Sequence, residues 1–174
     1  LVDALQRFRH SGVEESELSV ATQTGLRASL ARRFLTDQLE FVNIAKQVLE
    51  VADFHELAQR IVYPAKSHGR IGGKSAGLFL AGKIVERSRE YADSLGDLRI
   101  PRSWYIASDA ILDFIAYNDL GEVHNRKYVE PDRIRLEYPH IVQLFKNSSH
   151  SPEILRGLAV VLDDLDTRPI IAHS

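Results

Sequence analysis

The chain has no cysteine among its 174 residues, which excludes a disulfide framework, a thiol nucleophile and any thiolate metal site. That composition fits a reducing cytosol, and a cytoplasmic protein is expected. Methionine is also absent. A chain that starts at Leu1 without an initiator and stops just inside an apolar run at Ile170-Ile-Ala-His-Ser174 reads as a piece of a longer protein. No window reaches the roughly 18 uninterrupted apolar residues of a membrane helix. The stretch from Ile71 to Val85 is interrupted by glycines and lysines, and Leu1 to His10 is charged and amphipathic rather than the apolar core of a signal peptide. No excess of one charge sign exists either: the formal balance is −2, which demands neither a nucleic-acid nor an anionic-membrane partner. What remains is an ordinary globular composition of about one domain's length.

Helical periodicity dominates. Val13 to Gly25 is polar and reads as a loop or linker. Leu26 to Val51 lacks glycine and proline and carries apolar residues at three- and four-residue steps, predicting one long amphipathic helix. Asp53 is placed to cap a second helix through Ile61 and Val62, with Pro64 as its stop. These helices offer packing rather than chemistry. Further along, Ser103–Ala107 predicts a short strand and Asp109 caps a helix bearing Phe114. Pro131 and Ser151-Pro152 open two more helices, and Arg168–His173 predicts a second strand. The pattern is α/β, rich in helix.

One stretch departs from this background. Residues 60–90 carry seven basic side chains against two carboxylates, a local balance of +5. Within it lies Gly69-Arg-Ile-Gly-Gly-Lys-Ser-Ala-Gly77, running into a helical apolar pattern. Consecutive glycines let backbone approach a ligand and aim N–H groups at it. A helix N-terminus adds partial positive charge and Lys74 a full one, so phosphate is the natural guest. Arg70 nearby adds to the argument; the bland alternative is a glycine turn between helices. A P-loop would need a glycine at position 68, where the chain has His68, and a preceding strand, for which Ile61–Lys66 is a poor candidate.

The residues Ile71-Gly-Gly-Lys-Ser-Ala-Gly-Leu78 resemble the G-G-K-x-A-x-L opening of the nucleotide-binding domain of the phosphoenolpyruvate synthase and pyruvate phosphate dikinase family. Ile100-Pro-Arg-Ser-Trp-Tyr-Ile-Ala-Ser-Asp-Ala110 resembles that family's V-P-x-G-F-x-x-T-x-x-A segment, with Ser103 in place of Gly and Trp104 in place of Phe. Pro169-Ile-Ile-Ala-His-Ser174 resembles its strand ending in V-R-S-S. The resemblance implies the first lobe of an ATP-grasp-like nucleotide-binding domain, residues 64–174 and incomplete, preceded by a helical extension over 1–63. It implies that Lys74, with Gly72 and Gly73, contacts ATP phosphates. His173 falls where the family has a second phosphate-binding Arg. Arg is always charged and bidentate, whereas histidine is mostly neutral at pH 7. In the family, ATP phosphorylates a histidine on a separate domain, which passes the phosphoryl group to pyruvate. Mg2+ ligands and the remaining C-terminal domains are expected outside this chain, which by itself is expected to be inactive. Two alternatives stand beside this reading: a degenerate, non-catalytic nucleotide-binding or regulatory module, and a dikinase acting on another acceptor, such as an antibiotic or a glucan.

Other residues carry less. The seven histidines lack zinc spacing, and His68 reads as a loop-surface residue. Asp163-Asp-Leu-Asp166 reads as a solvated acidic turn. The basic stretch has no ladder of aromatics to stack single-stranded nucleic acid.

Overall fold

The computed structural model describes residues 14–67, 69–88, 98, 100–125 and 130–172. Those within 1–62, 69–108 and 171–174 form one compact unit, and those within 63–68 and 109–170 form another. Among the described residues there are eight α-helices and a two-stranded parallel sheet, a helix-rich α/β arrangement.

In the first unit, helix α1 spans Val20–Phe34, so Val20–Gly25 is helical rather than linker. Ser19 supplies the reason: its Oγ accepts the Thr22 N–H at 3.2 Å, an N-cap that replaces a missing intrahelical partner. Apolar periodicity is absent there because that part of the helix faces solvent, Val20 included. The expected long helix is instead broken. The amides of Leu35 and Thr36 both donate to Ala31 O, at 2.8 and 3.1 Å, and Thr36 Oγ1 accepts the Gln38 N–H at 3.2 Å. This local side-chain bond competes with helix continuation. Helix α2, Leu39–Val48, follows at once.

Helix α3, Val51–Gln59, opens with a capping box in which Glu50 is the N-cap and Asp53 the third helical residue. Asp53 therefore caps from inside the helix, its Oδ2 accepting the Glu50 N–H at 2.8 Å. Ile61 and Val62 do not extend the helix. They form strand β1, paired in parallel with β2, Tyr105–Ile106, in the register Ile61 to Tyr105 and Val62 to Ile106. Two β-branched residues backed by a partner strand outweigh the weak local signal. Between the strands runs helix α4, Gly73–Arg87, as the glycine-rich segment predicts. The core of this unit gathers Phe34, Val42, Leu49, Phe54 and Leu57, with the rings of Phe34 and Phe54 stacked at 6.3 Å.

The second unit is helical: α5 Ala110–Tyr117, α6 Gly121–Asn125, α7 Pro131–Asn147 and α8 Pro152–Leu165. Prolines open α7 and α8, where the missing N–H is harmless. Asp109 stands at the N-cap of α5 but makes no side-chain cap bond; its carboxylate accepts the Ser67 hydroxyl at 2.8 and 3.0 Å. Likewise Ser151 does not cap α8 with its side chain. Buried, it donates its hydroxyl to Asp113 Oδ2 at 2.6 Å. Phe114 is the buried centre, with Phe145 at 5.5 Å and His150 at 5.1 Å.

Residues 168–172 form no strand, contrary to expectation. A strand exists only through a ladder to a neighbour, and the one sheet among the described residues contains β1 and β2 alone. Ile170 and Ile171 stand exposed.

Candidate functional site

The glycine-rich segment enters α4 along a fixed path. Ile71 is 2% exposed and its N–H donates to Phe34 O at 3.0 Å, at the C-terminal end of α1. The Arg70 backbone is held on both sides, its N–H by Ser108 Oγ at 3.2 Å and its carbonyl by the Ser108 N–H at 2.7 Å. Gly72 is the N-cap of α4 and offers no side chain to cap it; its carbonyl accepts the Ala76 N–H at 2.9 Å. Gly73, Lys74 and Ser75 make up the first turn, where helix geometry provides no i−4 carbonyl.

The glycines themselves are informative. A Cβ built at Gly72, Gly73 or Gly77 would meet nothing within 4 Å, and none of the three has the left-handed φ that only glycine adopts readily. Neither backbone strain nor internal crowding requires glycine at these positions. Gly82, in the same helix, is different, because a Cβ there would lie 3.2 Å from Ile100 Cδ1. The first turn of α4 thus presents bare, exposed backbone beside the exposed Lys74.

The surrounding charge is not what the sequence suggests. Arg70 is ion-paired with Asp37, so its guanidinium is engaged by a carboxylate of the α1–α2 connection. Arg60 pairs with Glu56 at 3.1 Å. Lys83 lies between Glu56 and Glu86, each at 3.0 Å, and Asp53 at 3.5 Å. Arg87 meets Asp53 at 2.7 Å and Glu50 at 3.7 Å. The local +5 is therefore largely matched in space by carboxylates of the N-terminal helices. Burial alone would lower the pKa of the Lys83 ammonium, but its bonds to Glu86 and Glu56 and the nearby charges of Glu56 and Asp53 outweigh that and hold it above its ordinary 10.5.

Of the residues singled out by sequence, Gly72, Gly73 and Lys74 come together at one helix N-terminus. His173 and His68 lie outside the described residues. The strand before the segment is only two residues long, Ile61–Val62, and ends well short of the turn, and position 68 is histidine, so the P-loop pattern is not met. Asp163 and Asp164 lie in the last turn of α8, and among the described residues no three His, Cys, Asp or Glu side chains cluster so as to hold a metal ion. Also among the described residues, no helix is long and apolar enough to cross a membrane.

A short strand, a glycine-rich turn and a helix whose exposed first turn carries Lys74 follow one another in a helix-rich α/β arrangement. The chain belongs to the pyruvate phosphate dikinase AMP/ATP-binding domain family, whose profile matches residues 68–171. These residues are the ATP-binding part of a dikinase-type protein. No curated protein and no solved structure matches the chain.

Proposed function

We propose that Gly72, Gly73 and Lys74 hold the phosphates of ATP for phosphoryl transfer, in a dikinase that works through a phosphohistidine domain outside this chain. The observation that carries this reading is the open space over Gly72 and Gly73 at the start of α4. A triphosphate needs N–H donors and positive charge at close range. First-turn amides, the positive end of the helix dipole and the Lys74 ammonium meet that need together. Glycine at 72 and 73 lets phosphate oxygens reach the backbone without a methyl group in the way.

In this reading residues 64–174 are the first lobe of an ATP-grasp-like domain and 1–63 a helical extension. His173 is a second phosphate contact, weaker than the arginine it replaces. Pyruvate is the acceptor implied by the resemblance, and the cysteine-free composition supports a cytoplasmic setting. Mg2+ would accompany ATP, with its protein ligands in the remainder of the domain. Phosphoryl transfer depends on metal and several cations aligning the reacting oxygens. One lysine and one histidine do not suffice, so this chain alone binds nucleotide without turnover. His173 also favours a second reading, a degenerate module that keeps the fold and has lost catalysis.

Calorimetric titration of ATP into the chain and into Lys74→Ala tests the assignment. Loss of one charge-assisted contact weakens binding by about tenfold or more; equal affinities would overturn it. His173→Arg tightens binding if residue 173 faces phosphate, and unchanged affinity would remove it from the site.

A further inference from the structure

The face of α4 that packs inward runs through Ala76, Leu80, Lys83 and Arg87, spaced to lie along one side of the helix. Ala76 and Leu80 are buried apolar contacts, and the stripe ends in two cations that converge on α3. Asp53 receives them both. Its side chain is only 8% exposed, with Oδ2 2.7 Å from Arg87 Nη2 and Oδ1 3.5 Å from Lys83 Nζ. The same Oδ2 accepts the Glu50 N–H that starts α3. Glu50 and Glu56 flank this centre from α3, Glu86 approaches Lys83 from α4 itself, and Arg87 also donates to Val48 O at the end of α2. At its other end α4 is entered through Ile71, bonded to Phe34 O, and Arg70, paired with Asp37. Both ends of α4 are therefore fastened to the N-terminal helices.

We propose that Asp53 is a positioning residue for the phosphate-binding turn, acting through Lys83 and Arg87 to fix α4 on the N-terminal helices; this rests on the assignment of Gly72, Gly73 and Lys74 to ATP phosphates. Lys83 is nine residues beyond Lys74, roughly 14 Å along the helix axis at 1.5 Å per residue, so Asp53 acts on the turn through the helix and not by contact. A stiff helix converts a small tilt at one end into displacement at the other, and misplacement by about 1 Å is enough to cost much of an oriented interaction. The N-terminal helices thereby become part of the nucleotide site's machinery.

The test is ATP affinity of the chain, measured by calorimetry at a temperature where circular dichroism shows each variant folded. Asp53→Asn weakens ATP by about fivefold or more, a coupling of ordinary size. Lys83→Met with Arg87→Met, which spares the capping box of α3, has the same effect and serves if Asp53→Asn does not fold. Both effects shrink in a Lys74→Ala background, where the turn has lost one of the contacts being positioned and keeps its backbone amides. Ile154→Val, a buried substitution in the other unit, lowers stability without moving affinity. If Lys74→Ala weakens ATP but Asp53→Asn and the Lys83/Arg87 pair bind it as tightly as the parent, the positioning role is overturned while the phosphate assignment survives. If Lys74→Ala leaves affinity unchanged, the phosphate assignment fails and the positioning role falls with it.

Discussion

Gly77→Ala and Gly73→Ala separate the two demands placed on α4, folding and binding. Gly77 lies inside the helix, its φ is not left-handed, and a Cβ there meets nothing within 4 Å. Alanine at such a site gains about 0.5–1 kcal/mol, from helix propensity and a less disordered unfolded chain. For a protein of this length that raises the melting temperature by roughly 2–4 °C per kcal/mol. Gly82→Ala collects the same propensity gain, but its methyl would stand 3.2 Å from Ile100 Cδ1. Ile100 must give way, and crowding of this kind costs on the order of 1 kcal/mol, so the net change falls near zero. Gly73, at the first helical position, gains little stability from alanine, within about 0.5 kcal/mol of the parent. It nonetheless loses ATP affinity, because the methyl fills the space the phosphate is argued to use. Thermal and urea unfolding followed by circular dichroism give the stability order, and calorimetry gives the affinities. A Gly77→Ala protein less stable than its parent would refute the claim that this position is open. A Gly73→Ala protein that binds ATP unchanged would remove the reason for glycine in the first turn.

Three further outcomes follow from the same geometry. Asp37→Asn and Asp53→Asn remove the same charge from pairs of unequal burial: Asp37, 66% exposed, changes stability by under about 1 kcal/mol, whereas Asp53 loses about 3 kcal/mol, the low end for breaking a buried pair, because Lys83 and Arg87 keep other carboxylates. Equal midpoints in urea would contradict this. Stability declines above about pH 10, since burial, partly offset by the Ser103 hydrogen bond and Arg60, raises the Tyr105 phenol above 10.0 and Lys83 is held above 10.5. In both cases the folded state keeps its proton longer than the unfolded chain, so the stabilisation is complete below these ordinary values and lost as pH rises through the folded ones. Tyr105→Phe shrinks the alkaline decline in urea midpoint, and an unaltered profile would exclude the residue. Finally, Ser151→Ala and Asp113→Ala are coupled by about 1–2 kcal/mol in a double-mutant cycle, the value of a buried hydroxyl–carboxylate bond; additive losses would show the bond contributes nothing.

That the glycine-rich segment opens a helix was legible because its signal is local. Gly72-Gly73-Lys74 needs only the knowledge that glycines free the backbone and a helix start attracts anions, and it does open α4. Ser103–Ala107 was similarly legible as a strand, although only Tyr105–Ile106 pairs. What failed depended on partners distant in sequence. Ile61 and Val62 look like the end of a helix until Tyr105 and Ile106 lie beside them. Asp53 fits an N-cap by type, but its position inside α3 and its bonds to residues 30 and 34 positions later leave no local trace. The excess of basic residues between 60 and 90 points toward a ligand when read locally, whereas much of it answers the carboxylates of the N-terminal helices. The break after Phe34 goes with the shared Ala31 carbonyl and one threonine hydroxyl, neither of which interrupts the apolar pattern of the sequence.

The central claim is that ATP phosphates sit on the first turn of α4. Backbone amide chemical shifts, followed residue by residue as ATP is added to isotope-labelled chain, test it most directly. The account predicts the largest shifts at Gly72, Gly73, Lys74 and Ser75, with inorganic triphosphate reproducing them and adenosine not. Saturable ATP shifts that gather elsewhere while these four amides stay unmoved would contradict it.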